Sequence, residues 1–113
     1  MRCGKIWTAN LNPNKGAEVG KIRPVLVIQD DGLLQTGLQT VLVLPFTTQF
    51  RPGLAPGRIR VAAWDRLMRD CYVMVEQVRV ADRSRFGAGP LACLTAEEMA
   101  AVEKSLRVVL EMW

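Results

Sequence analysis

The sequence contains no histidine. That absence removes serine and cysteine triads, histidine-paired ribonuclease chemistry and most catalytic zinc sites. Cysteine is scarce too: Cys3, Cys71 and Cys93 lie far apart with no C-x-x-C pair. A metal knuckle is therefore excluded, and the three read as free thiols packed in the core or at the surface. Aromatic residues are only 6% of the chain, too few for a broad platform on which bases could stack. No apolar run nears the roughly 20 residues of a membrane span. Residues 1–4 lead directly into a strand-like segment without a signal-peptide or lipid-anchor pattern. The expected location is the cytoplasm, with no membrane partner.

What is present fits a folded domain. Half of the 113 residues are apolar and 23% are charged, so 1–113 reads as one domain. A chain of this size hides about two-thirds of its unfolded surface and needs no metal or disulfide staple. The charge is unevenly placed. Segment 95–113 holds Lys104 and Arg107 against Glu97, Glu98, Glu103 and Glu111, a balance of −2 that leaves +6 on the first 94 residues. Eleven of the fifteen basic residues are arginine, whose fork suits bidentate phosphate contacts. An anionic partner follows, and nucleic acid is the commonest one.

Along the chain, Trp7, Ala9 and Leu11 alternate with Ile6, Thr8 and Asn10, the period of a strand. Residues 12–21 then gather turn formers, a loop hinged at Gly16 and Gly20, long for so small a domain and thus a place for function. The apolar run 23–29 predicts a strand buried on both faces, with Pro24 at its first residue or on an edge because it lacks a donor. After a turn at 30–32, the run 40–46 predicts another strand, ended by Pro45, Thr47 and Thr48. Residues 51–57 form a second loop. Segment 58–61 alternates as a strand with a basic outer face, 63–69 suits a helical turn, and 71–80 reads as one more strand. Thr95 with Glu98 matches a capping box, opening a helix whose apolar stripe runs to Trp113. The expectation is mainly β: five or six antiparallel strands in a small curled barrel closed by a C-terminal helix.

Four blocks of this sequence occur in the order and spacing of a known family. They are Gly4-Lys5-Ile6-Trp7 with Leu11-Asn12-Pro13; the stretch 16–28 with Glu18, Lys21, Arg23 and Pro24; Leu44-Pro45-Phe46-Thr47-Thr48-Gln49; and Glu76-Gln77-Val78-Arg79 with Asp82. Together they resemble the MazF/PemK toxin family over nearly the whole chain. The resemblance implies a homodimeric, metal-independent endoribonuclease, without cofactor, that cuts single-stranded RNA, especially mRNA, at short sequences. It also implies 2′,3′-cyclic phosphate and 5′-hydroxyl ends, a cognate antitoxin, and a barrel shared with the gyrase poison CcdB. The family's catalytic arginine and threonine fall on Arg23 and Thr47, and its loop glutamate on Glu18.

The residue chemistry agrees. Attack of a ribose 2′-hydroxyl on the adjacent phosphate gathers negative charge on phosphoryl oxygens, which a forked arginine stabilises. Arg23, beside rigid Pro24, is placed to be held still; taken alone, it is a surface arginine flanking a buried strand. The Thr47 and Thr48 hydroxyls can donate to phosphate or bond their own backbone. Arginine keeps its proton under ordinary conditions, which makes Arg23 an awkward base; it reads as acid and electrostatic stabiliser, while Glu18 is the base, a solvated loop carboxylate or a contact to base edges. Gln77, mid-strand, reads a base edge or makes a cross-strand bond. Lys21, Gln49, Arg51, Arg58, Arg60 and Arg79 are candidate RNA contacts, mostly to backbone phosphates. Phe50, Trp64 and Tyr72 either stack on bases or pack in the core. Cys71 departs from the small or hydroxyl residue usual at its position, and the proline-rich loop 51–57 prevents transfer of a cleavage sequence. Two other readings are a CcdB-like gyrase poison that binds without chemistry and a non-catalytic nucleic-acid or peptide adapter. The first has no use for Arg23 and Thr47, and the second lacks aromatics.

Overall fold

β-branched and leucine-rich runs form the middle of the sheet. The structure, a computed structural model, describes residues 4–13, 15–17, 20–29, 31–49, 58–61, 71–87 and 89–111. Seven strands are described: β1 (Lys5–Asn10), β2 (Ile22–Val27), β3 (Thr40–Thr47), β4 (Arg58–Val61), β5 (Cys71–Met74), β6 (Arg79–Asp82) and β7 (Ala92–Cys93). Helix α1 (Asp31–Leu34) is short, and α2 (Ala96–Leu110) is the C-terminal helix. The strands pair antiparallel in the order β4-β5-β3-β2-β1-β7, and β6 also pairs with β3. The result is a mainly-β, curled half-barrel with a C-terminal helix.

Both faces of the central strands are buried, which explains why 25–27 is unbroken Val-Leu-Val. On one face Ile6, Leu26, Leu44, Phe46 and Val73 pack with Val102 of α2. On the other, Ala9, Val25, Val27, Val41 and Val43 pack with Leu34 of α1. Each of these large side chains contributes about 1.5–3 kcal/mol by leaving water.

The expected strand over 71–80 is instead two strands separated by a 3₁₀ turn, Val75–Gln77. Register gives the reason. β5 pairs Phe46 with Val73, and β6 pairs Val43 with Arg79. Continuing the first register would set Val43 opposite Glu76, so three extra residues are absorbed where the chain moves from one pairing to the next. Pro45 of β3 lies at that junction, where a missing backbone donor costs no ladder bond.

Pro24 also departs from expectation. It is the third residue of β2, opposite Thr8 on β1, with β3 on the far side. Of the two hinge glycines, Gly16 takes a left-handed φ of 58°, but the second left-handed residue is Lys21 (φ 70°) and not Gly20. The helical turn expected over 63–69, the loop 51–57 and the end of the stripe at Trp113 lie outside the described residues.

The capping box at the start of α2 is formed in full. Thr95 Oγ1 accepts from the Glu98 N–H at 3.1 Å, and Glu98 Oε1 accepts from the Thr95 N–H at 2.9 Å. Thr95→Ala is expected to lower stability by about 1 kcal/mol, read as a shifted urea midpoint with an unchanged slope.

Candidate active site

The site assembles where β2 begins and β3 ends. β2 pairs Val25 with Pro45, and extending that register by two residues sets Arg23 opposite Thr47. Arg23 shares its pleat face with Val25 and Val27, and Thr47 shares its face with Val41 and Val43, so both project from one side of the sheet. Register carries the row onward: Thr47 pairs with Tyr72, and Tyr72 with Arg60. In the other direction Arg23 lies opposite Ala9 of β1, whose methyl leaves room beside the guanidinium.

Arg23 is half-buried. Its Nε donates to the Gly20 carbonyl at 2.7 Å and its Nη1 to the Phe46 carbonyl at 3.3 Å. The two bonds tie the side chain to the β1–β2 loop and to the end of β3. Among the described residues, none accepts a hydrogen bond from Nη2. Burial pushes the guanidinium pKa below its ordinary value, yet the group stays a cation at neutral pH. Thr47 is half-buried, and its Oγ1 accepts from the Gln49 N–H at 3.2 Å. That bond uses an acceptor site and leaves the hydroxyl proton to donate. Bonding its own backbone and donating to a phosphate are thus compatible at Thr47.

A set of side chains frames the loop from which Gly20 projects. Asn12 Oδ1 accepts from the Lys21 N–H at 2.9 Å, and the Leu11 N–H donates to the Lys21 carbonyl at 2.8 Å. Arg85 Nη1 reaches across to the carbonyls of Asn10 at 3.0 Å and Asn12 at 2.5 Å. Lys21 is held in its left-handed conformation between these contacts, with its side chain exposed.

Thr48 and Gln49 are exposed just past β3. Arg79 opens β6 opposite Val43, four residues from Thr47, or about 13 Å along the strand. Gln77 is half-buried in the 3₁₀ turn and not mid-strand, which removes its cross-strand reading. Glu18, Arg51, Phe50 and Trp64 lie outside the described residues, and nothing is described of the Arg58 side chain. The membership of Tyr72 in the Arg23 row is the feature sequence reasoning passed over. Its signal was parity: alternation in 71–74 sets Tyr72 on the opposite face from Cys71 and Val73. Among the described residues no three Cys, Asp or Glu side chains gather as metal ligands would. No described helix is long and apolar enough to cross a membrane.

Residues 2–110 match the family model described as PemK-like, MazF-like toxin of type II toxin–antitoxin system. An endoribonuclease MazF of Staphylococcus saprophyticus is 31% identical over 114 residues, covering 97% of this chain and 91% of the relative. The crystal structure of MazF (Form-I) from Deinococcus radiodurans superposes with a TM-score of 0.84 at 26% identity, covering 99% and 97% of the two chains. An endoribonuclease in complex with its cognate antitoxin, from a mycobacterial species, shares the fold at a TM-score of 0.78 and 17% identity, covering 100% and 97%.

Proposed function

The chain belongs to the PemK-like, MazF-like toxin family of type II toxin–antitoxin systems, and from that premise we propose that it is a sequence-specific, metal-independent endoribonuclease acting on single-stranded mRNA. The observation that carries the reading is that the β2–β3 register, extended by two residues, sets Arg23 opposite Thr47: a half-buried guanidinium fixed by two backbone carbonyls, across from a hydroxyl with its proton to give. A ribose 2′-hydroxyl attacks the adjacent phosphorus, and the bond to the 5′-oxygen breaks. The products are a 2′,3′-cyclic phosphate and a 5′-hydroxyl. Arg23 stabilises the negative charge that builds on the phosphoryl oxygens and supplies the leaving oxygen with its proton. Burial lowers its pKa in the direction that eases this transfer. Thr47 donates to the same phosphate. Glu18, the only carboxylate of the loop 12–21, takes the 2′-hydroxyl proton.

RNA runs along the row from Arg23 toward Tyr72 and Arg60, an aromatic and a further cation for the adjoining nucleotide. Lys21, Thr48, Gln49, Arg51, Gln77 and Arg79 serve the flanking phosphates and bases. A cognate antitoxin is the protein partner in this reading. A homodimer gains support from Val108, Val109 and Leu110, which are exposed together at the end of α2.

The test is cleavage of a long unstructured RNA in EDTA, with the fragment ends identified. Discrete cuts bearing cyclic-phosphate and 5′-hydroxyl ends are expected. Cleavage abolished by EDTA would overturn metal independence. No cleavage by folded protein would overturn the nuclease and turn attention to a gyrase supercoiling assay. Thr47→Val removes the hydroxyl but keeps the shape and is expected to slow cleavage by about 10–100-fold, below the effect of losing a full oxyanion donor set. Thr47→Ser keeps the hydroxyl and should retain most of the rate, measured as single-turnover cleavage of one oligonucleotide.

A further inference from the structure

A proline in a central strand is a local contradiction, because the ring removes a ladder donor. Which direction that donor would have faced follows from neighbouring bonds. The Gly4 N–H donates to the Val27 carbonyl and the Leu11 N–H to the Lys21 carbonyl, so odd residues of the β2 stretch turn their backbone groups toward β1. The Ile28 N–H donates to the Leu42 carbonyl, so even residues turn toward β3. Position 24 therefore faces β3, and the register Leu26↔Leu44 sets it opposite Phe46. An ordinary residue at 24 would donate its N–H to the Phe46 carbonyl. With proline there, the paired ladder begins at Val25, and the Phe46 carbonyl receives Arg23 Nη1 instead.

We propose that Pro24 is a positioning residue that acts through the hydrogen bond it cannot make: it keeps the Phe46 carbonyl open so that the Arg23 guanidinium seats there, opposite Thr47. The inference rests on the role of Arg23 proposed above. A carbonyl oxygen has two acceptor sites, but a ladder N–H brings the strands to regular spacing along the same in-plane direction. The guanidinium enters through the gap that this spacing would close. Held by Gly20 through Nε and by Phe46 through Nη1, Arg23 keeps Nη2 for substrate. Without the second carbonyl it swings about its bond to Gly20, and the orientation needed in the transition state is lost.

The experiment separates the missing donor from the rigid ring. Pro24→Ala and Pro24→Val each restore an N–H, whereas N-methylalanine at position 24, introduced by total synthesis with ligation at Cys71, has neither ring nor N–H. Three readouts are taken: hydrogen exchange of the new amide, the Arg23 Nε–H resonance, and kcat and KM on a single-site RNA. In the Ala and Val variants the new amide should be protected from exchange and the Arg23 resonance shifted. Their kcat should fall about tenfold, a part of what a lost transition-state donor costs, with KM nearly unchanged. The N-methylalanine protein should keep kcat within about twofold of the parent. A protected amide with full kcat and an unmoved Arg23 resonance would overturn the proposal. So would an N-methylalanine protein as slow as the alanine one, which would assign the effect to the ring. If the Ala and Val variants fail to fold, full retention of kcat and the Arg23 resonance by N-methylalanine supports the proposal, and their loss overturns it. Should the parent protein cut no RNA, the nuclease reading fails, while exchange and the Arg23 resonance still decide whether Pro24 governs the guanidinium.

Discussion

Arg23→Ala is expected to slow RNA cleavage by at least about 10²–10³-fold, the effect of removing one preorganised donor from a developing oxyanion. The guanidinium gives more than charge at this position. Nε and Nη1 are committed to the Gly20 and Phe46 carbonyls, and Nη2 faces substrate in the proposed mechanism. Lysine can supply the charge but not three donors in a fixed plane, since an ammonium is a point charge on a flexible stem. Arg23→Lys should therefore recover less than about a tenth of the parent rate. Single-turnover cleavage with saturating RNA is the measurement, because it separates the chemical step from binding. A fall confined to KM would mean that Arg23 binds RNA without serving the transition state. The alanine variant also leaves two carbonyls to find water, so a stability loss of about 1 kcal/mol is expected alongside. A loss that small leaves the protein folded under assay conditions.

Phe46→Ala is expected to cost about 3–5 kcal/mol of stability. Phe46 is 1% exposed and packs on the face that α2 covers. It is also the residue of β3 from which the pairing passes from β6 to β5. Removing its ring opens a cavity beneath three strands that are fixed by hydrogen bonding and cannot collapse around it. Against a total stability of about 5–15 kcal/mol for such a domain, the loss is a large share. Equilibrium urea unfolding measures it, as a lowered midpoint with the slope retained. A loss under about 1.5 kcal/mol would mean that the strand ends relax freely.

The contrast between what was and was not legible in the sequence is one of range. Val25, Leu26 and Val27 announce a strand buried on both faces, and Thr95 with Glu98 announces the start of α2, because each signal is complete within a few residues. The turn Val75–Gln77 carries no glycine or proline and reads as strand; the three-residue offset that requires it exists only in the pairing of β3 with two partners. The chemistry of Pro24 predicts the first residue of a strand or an edge, whereas its neighbours resolve the missing donor from outside the segment. Lys21 adopts a conformation usually left to glycine because Asn12, from the far side of the loop, takes its N–H. Arg23 and Thr47 were legible singly, through the blocks around them. Their mutual placement, and that of Tyr72 and Arg60 beside them, depends on register across four strands.

In the proposed nuclease, the C-terminal helix has a consequence for how RNA arrives. α2 covers the sheet face of Leu26, Leu44 and Phe46, and Arg23 projects from the reverse face. Segment 95–113 carries −2 and the rest of the chain +6. The acidic segment thus lies behind the sheet, on the side away from Arg23. In that proposed role, a polyanion drawn by the net +4 of the chain is turned away from that side and meets the Arg23 face before any base is read. Orientation of this kind is a property of the encounter rate, and it fades as added salt shortens the screening length.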